Sequence, residues 1–417
     1  MYWNLFVALT LTGIIGTSIY SHNRLGESVQ SQPAPVETAR LPKIPRPEYL
    51  RPVIDSTSNT SVTRIADRAA FNSNLSVLRH NYAKNQPWNA DESYLLLNFQ
   101  YPAALLHGRT YQFLRWVRQP SQSVWSNLNP ALMYGMVADT NEFVKLDLAK
   151  ADAYTVLRKF REYDRIDFGS WEGNLSNNDR YAALIGVKAG KLDFLVYDLI
   201  SDRVISRITQ PKGTTFGNSG TTTVDNITMS QSGKYAIVQY NKLGKGVQSG
   251  IQLLDRSLKF VRQLSRGKGG HYDSCVDARR SESIVMTNDT NRSIVSVSYT
   301  TGKKTTLLPA TKASYSIHVS CRNLKRPGWV YISEFAGDLD PGTVKPTPDQ
   351  IFALNLNGSG TTEKFALPNN SLNKAYERQT QSVPNRDGSR VIFASDWGNP
   401  TDSVYAYVSQ QKSRRRR

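Results

Sequence analysis

Residues 230–238 read SQSGKYAIV, and residues 385–395 read NRDGSRVIFAS. Each is a polar bend followed at once by β-branched and aromatic residues. Gly and Asn accept turn backbone geometry, Asp and Ser satisfy turn amides through their own side chains, and Tyr, Ile, Val and Phe suit a pleated strand. The same pattern occurs at 89–97 (NADESYLLL), 126–136 (SNLNPALMYGM), 176–186 (SNNDRYAALIG), 277–285 (DARRSESIV) and 322–333 (RNLKRPGWVYIS), which makes seven such turns. Between them lie second hairpins, among them FLVYDLISDRVISRI (194–208), IQLLDRSLKFVRQL (251–264) and IFALNLNGSGTTEKFAL (351–367). Two hairpins make four strands, and a four-stranded unit repeating at roughly 45 residues is the signature of a β-propeller blade. The prediction is an all-β fold, a seven-bladed β-propeller of four-stranded blades over residues 59–411. The last unit ends at SVYAYVSQ (403–410), one strand short, and the stretch from Thr60 to Phe71 can supply that strand. Closing the ring in this way removes the exposed edges of an open array. Runs such as YLLL, YAIV and RVIFA are too short for a helical solenoid.

The two ends of the chain differ from this pattern. Residues 1–22 carry an apolar run from Leu5 to Ile19 with no charge before His22, which reads as a signal peptide or a single membrane anchor. Either reading makes the folded part secreted, periplasmic or otherwise in the cell envelope, touching a membrane only through residues 1–22. Residues 23–58 form a Pro-rich linker, and residues 412–417 form a basic tail. Lys plus Arg outnumber Asp plus Glu by 52 to 34, a formal charge of +18, so the surface attracts polyanions. For an exported chain the expected partner is an acidic polysaccharide or a protein of the envelope. No specific nucleic-acid partner is expected, because neither a recognition helix nor an aromatic ribonucleoprotein motif accompanies the charge. No G-x-S-x-G elbow is present for serine chemistry.

In a propeller the first strand of each blade lines the central channel, so residues just ahead of those strands converge from distant positions. The set contains Lys84, Trp88, Trp171, Glu172, Asn174 and Asp273 as candidate substrate-binding groups on the top face. Trp faces stack on sugar rings, and cations pair with uronate carboxylates. Cleavage of a uronate glycan by β-elimination needs a cation at the carboxylate, a base for the adjacent proton and an acid for the leaving oxygen. Arg322 or Lys84 suits the first role, His271 or His318 the second, and Tyr82 or Tyr272 the third. The alternative function is a non-catalytic propeller that scaffolds protein contacts in the envelope. Cys275 and Cys321 stand about one blade length apart and one step out of register, on opposite strand faces. Adjacent blades pack front to back, so this placement predicts a cross-blade disulfide in an oxidising compartment.

The turns SQSGKYAIV and NRDGSRVIFASDWG resemble those of bacterial WD40-like propellers of the TolB type, which implies the propeller fold. The histidines at blade entrances resemble those of oligogalacturonate-lyase-type propellers. That resemblance implies β-elimination of uronate oligomers with a manganese ion held by three His and a Gln. Carried over, it uses His271 before the fifth blade. The seventh-blade entrance, ERQTQSVPNRDG (377–388), offers Gln379 and Gln381 but no histidine. The set implied here is His80, His271, His318 and Gln381, for a divalent cation such as manganese or calcium.

Overall fold

The bends read from the sequence join the first and second strands of successive antiparallel sheets in a computed structural model of the chain. The structure describes residues 44–217, 222–242, 248–267, 271–288, 290–310, 316–335, 349–371 and 375–411. The leader 1–22, residues 23–43 of the linker, Gly269, Gly270 and the tail 412–417 lie outside the described residues. Two turns show why their glycines are there. Gly233 and Gly388 both have φ of 71°, the left-handed region that a side chain resists. A Cβ on Gly388 would also stand 2.1 Å from the Tyr331 hydroxyl. In the same turn Asn385 accepts the Arg390 amide at 2.9 Å and Asp387 accepts the Ser389 amide at 2.9 Å, which is the side-chain turn chemistry the sequence advertises.

Seven sheets follow in chain order. Blade one has strands Tyr94–Leu97, Ala103–His107 and Phe113–Val117, with a Trp88 to Leu95 bridge in the innermost place. Pro87 lacks the amide a longer inner strand would use. Blade two comprises Gln122–Trp125, Leu132–Val137, Glu142–Asp147 and Ala153–Lys159, and blade three Arg165–Asp167, Tyr181–Lys188, Lys191–Asp198 and Arg203–Thr209. Blade four comprises Val224–Met229, Tyr235–Tyr240, Ile251–Asp255 and Phe260–Ser265, and blade five Tyr272–Val276, Glu282–Thr287, Ile294–Ser298 and Lys304–Leu308. Blade six comprises Ile317–Ser320, Trp329–Glu334, Ile351–Asn355 and Thr362–Ala366. Blade seven takes Val383–Pro384, Arg390–Ser395 and Val404–Gln411 from the end of the chain and Thr60–Arg64 from its beginning, so the predicted closure is present. The linker does not end where its prolines suggest. Val53–Asp55 adds a further strand by pairing with Thr60–Val62, and Ile44, Tyr49 and Leu50 pack on the adjoining core.

Sheets covered on both faces explain the unbroken apolar runs. Ala182–Ile185 and Val391–Ala394 are wholly buried, and the apolar clusters span adjacent blades, as where Ile237 and Leu253 of blade four meet Tyr272, Ile284 and Val295 of blade five. Polar staples recur at the seams. Glu92 of blade one accepts the Arg386 amide at 2.9 Å and Arg390 Nη2 at 2.5 Å from blade seven. Asp179 of blade three accepts the Ser126 hydroxyl and the Asn127 amide of blade two, and Glu282 of blade five accepts the Ser232 amide and hydroxyl of blade four. A carboxylate at one blade's turn thus holds the turn of the preceding blade. At the seam between blades five and six the predicted Cys275–Cys321 disulfide is formed, with Cα atoms 5.2 Å apart. Cys321 lies one residue past the end of its strand.

Candidate functional site at the channel mouth

Blade entrances bring together most of the residues picked from the sequence. His271, one residue ahead of the inner strand of blade five, and His318, on that of blade six, stack with ring centroids 4.0 Å apart and planes inclined by 23°. Tyr82 meets both edge-on, at 6.2 Å and 5.6 Å, and Phe335 stacks on His318 at 4.6 Å while lying 5.9 Å from His271. Lys84 lies beside them, its Nζ 3.5 Å from the Tyr272 ring centroid and 2.5 Å from Glu172 Oε2. Asn226 donates to Glu172 Oε2 at 3.1 Å and accepts the Tyr272 hydroxyl at 2.6 Å. Asn174 donates to the Lys84 carbonyl at 3.1 Å, so it positions the lysine.

Hydrogen bonding fixes the tautomers along this mouth, and an arginine overlooked in the sequence sets the direction. Arg79 is fully buried and can only donate. Its Nη2 takes Gln381 Oε1 at 2.6 Å, so the Gln381 amide nitrogen faces Gln379 Oε1 at 3.4 Å. Gln379 Oε1 then accepts from His318 Nε2 at 2.9 Å, leaving Nδ1 as the unprotonated nitrogen of His318. His80 Nε2 donates to the Gln381 carbonyl at 2.6 Å, and His271 Nδ1 donates to the Ile317 carbonyl at 2.6 Å. Burial first, and then the Arg79 charge, lowers the His80 pKa to about 3. Burial followed by the neighbouring His271 holds His318 well below the ordinary imidazole value. Burial and Glu172 push the Tyr82 hydroxyl well up.

These depressed histidines make stability depend on pH. Each is neutral when folded and gains a proton on unfolding below about pH 6.5, so stability is lost as pH falls through that window towards the folded value. Lowering the pH from 7 to 5 should remove about 2 kcal/mol through His80 alone. Urea unfolding at both pH values checks it. A His80→Gln variant should lose that share of the pH dependence, and an unchanged slope would refute the assignment.

Three expectations change in the structure. The residues at the mouth do not fit a manganese or calcium ion. Gln381 Oε1 is engaged by the Arg79 guanidinium, His271 and His318 stack face to face instead of converging edge-on, and Arg79 and Lys84 add positive charge around His318. Among the described residues no group of three or more His, Cys, Asp and Glu is placed to hold a metal. Arg322 and Asp273, read separately as a catalytic cation and a binding group, are partners: Nη2 lies 2.8 Å and Nε 3.1 Å from the carboxylate oxygens, with both side chains buried. Opposite charges sharing one seam satisfy each other before any ligand can. Trp88 is not a stacking platform. It is 0% exposed, and its indole donates to the Gly108 carbonyl within the core.

Trp171 is the opposite case, 46% exposed. It ends a run of three left-handed residues, Gly169 (φ 65°), Ser170 (φ 51°) and Trp171 (φ 72°). Asp167 holds the turn by accepting the Ser170 amide, and Gln122 ties it down by donating to Asp167 Oδ2 and accepting the Phe168 amide. Trp171 lines a small recess with Asn81, Asn85 and Gln122, whose side chains carry amide groups.

No family model matches the sequence, and no curated protein matches it. Among solved structures, the chain is similar to an oligogalacturonate lyase from Vibrio parahaemolyticus, at 12% identity and a TM-score of 0.61, over 87% of this chain and 96% of that one. It is also similar to an oligogalacturonate lyase in complex with manganese, at 13% identity and a TM-score of 0.60, with the same coverage of 87% and 96%. At such identity the likeness is one of fold, a seven-bladed β-propeller architecture shared with those proteins.

Proposed function

We propose that the protein is an exported propeller that binds an acidic polysaccharide at the channel mouth, with Trp171 stacking on a sugar ring and Asn81 and Asn85 hydrogen-bonding its hydroxyls. The observation that carries this reading is the left-handed turn under Trp171. Non-glycine residues in that region cost on the order of 1–2 kcal/mol each, and here the strain holds an indole out in water instead of burying it. The formal charge of +18 supports an anionic ligand.

Binding is favoured over cleavage. The cations available to neutralise a uronate carboxylate, Arg322 and Lys84, already lie against Asp273 and Glu172. His271, half-buried with Nδ1 held on the Ile317 carbonyl, is the remaining base, so elimination would lack its cation.

The test is a titration with polygalacturonate, alginate and heparin alongside a neutral glucan, together with the ultraviolet absorbance of unsaturated product. Binding of at least one polyanion is expected without product, and Trp171→Ala should weaken it about tenfold while leaving the unfolding midpoint in place. Failure to bind the whole panel, or binding indifferent to Trp171→Ala, would refute the reading. A second reading, a scaffold for protein contacts, is favoured by the apolar residues exposed on the outermost strands of blades two to four, Tyr154, Val156, Ile205, Ile208 and Phe260.

A further inference from the structure

Ahead of blade one, residues 79–88 run among the inner strands instead of over the surface. Arg79 donates to the Glu377 and Gln379 carbonyls, Gln86 Nε2 donates to the Arg322 carbonyl at 2.9 Å and the Pro384 carbonyl at 3.0 Å, and the Trp125 indole donates to the Pro87 carbonyl at 3.0 Å. Blades two, six and seven thus hold the segment at its ends. Lys84 lies between these ties with its side chain only 2% exposed. An ammonium group so placed is costly unless its surroundings answer the charge or remove it.

The surroundings of this amine hold the parts of an amide exchange. Glu172 Oε2 lies 2.5 Å from Lys84 Nζ and accepts Asn226 Nδ2 at 3.1 Å, so one carboxylate oxygen joins an amine to a side-chain amide. An ionised carboxylate can only accept, which turns Nδ2 of Asn226 towards it, and Gln239 Oε1 accepts the same nitrogen at 2.9 Å. Asn226 Oδ1 accepts the Tyr272 hydroxyl at 2.6 Å, and Lys84 Nζ stands 3.5 Å from the centroid of that same ring. Burial, and then Glu172, pushes the Tyr272 hydroxyl well up, so it stays a donor. A nucleophile, a base shared with the leaving nitrogen and a donor on the carbonyl oxygen are what acyl transfer requires.

We propose that Lys84 and Asn226 join in an isopeptide bond made by the protein itself, tying segment 79–88 to the inner strand of blade four. Glu172 takes a proton from the Lys84 ammonium, and the freed amine attacks Cγ of Asn226. The carbonyl electron pair moves onto Oδ1, held there by the Tyr272 hydroxyl. Glu172 returns its proton to Nδ2, the Cγ–Nδ2 bond breaks, and ammonia leaves with the surplus proton of the attacking nitrogen as ammonium. Lys84 and Asn226 thus become one neutral amide, Glu172 is again a carboxylate, and no oxidant or second substrate is consumed. The Glu172 side chain is 21% exposed, which gives the ammonium a way to water. Glu172 itself is the poorer acyl partner, since its use would leave the amine without a base. Fixed proximity supplies the rate that free amine and amide lack. The link uses neither Trp171 nor the amides of Asn81 and Asn85, so it stands apart from the glycan reading.

The experiment is mass spectrometry of the purified full chain, reduced and cut with trypsin. Residues 80–109 and 213–234 should appear as one branched peptide, uncut after Lys84, lighter by one ammonia than the two together, with fragment ions placing the join at Lys84 and Asn226. Glu172→Gln keeps the shape and removes the base, so in a time course on freshly made, folded protein it should slow the link by about a hundredfold or more. The proposal is overturned if the parent is cut after Lys84 and residues 213–234 are recovered alone. It is also overturned if the mass lost is that of water with the join at Glu172, or if folded Glu172→Gln links as fast as the parent. The parent's peptide map decides the bond itself whether or not the variant folds.

Discussion

Removing the disulfide with a Cys275→Ala/Cys321→Ala double variant should lower the stability of the propeller by about 4 kcal/mol, from the loop-closure entropy released to the unfolded chain. The bond spans a sequence separation of 46 residues, one whole blade, and it joins the inner ends of blades five and six. Both cysteines are buried, at 0% and 3% exposure, so the bond should resist reductant until the seam opens. Denaturant unfolding of the variant beside the parent measures the difference. A loss below about 1 kcal/mol would mean that the seam's other contacts, not the constraint on the unfolded chain, hold these blades together.

Asp273→Ala should cost a similar amount, about 3–5 kcal/mol, because it leaves the buried Arg322 guanidinium without its carboxylate. The same carboxylate also accepts the Cys321 amide at 2.7 Å and the Ser274 amide at 2.8 Å, so one substitution strips four donors. Arg322→Met/Asp273→Ala together should cost less than the sum of the single changes, since the second removes the orphan the first creates. Urea unfolding of the four proteins of this cycle measures the coupling. Additive losses would show that the two groups do not depend on each other. The cycle also separates stability from recognition: if Arg322 instead served a ligand carboxylate, Arg322→Met would weaken polygalacturonate binding in protein that remains folded, and it should not.

Turn chemistry made the architecture legible, because a bend such as NRDG needs its Asn, Asp and Gly wherever it sits and seven such bends mark seven sheets. The reduced inner strand of blade one was harder to foresee. Pro87 withholds an amide there, yet proline also belongs in the loops that lead into blades, so the local sequence reads both ways. The same ambiguity moved Trp88 from the rim to the core: an aromatic residue ahead of a strand is a platform or a plug depending on a register that no short stretch contains. At the mouth, His271, His318 and Tyr82 were legible as neighbours because the entrance to every blade points to one axis. The ion pairs were not. Arg322 with Asp273 and Lys84 with Glu172 are joined across 49 and 88 residues, and residue types alone do not say which charges cancel. Arg79 was hidden for a related reason. Its partners are four main-chain carbonyls and one side-chain amide oxygen, and main-chain acceptors leave no mark in a sequence.

The closure of blade seven bears on how the protein is made. Thr60–Arg64 leaves the ribosome before blades one to six have been made, yet its partner Val404–Gln411 comes after them. The early strand must therefore wait for nearly the whole domain, and this pairing, with the largest loop to close, belongs among the slow steps of folding. Until then the growing arc presents two unpaired edges to whatever chaperone or protease it meets. A chain broken off before Val404 keeps those edges for good. The ring thus reports on its own completion, since the edge of Thr60–Arg64 that pairs with Val404–Gln411 is covered only in the finished molecule.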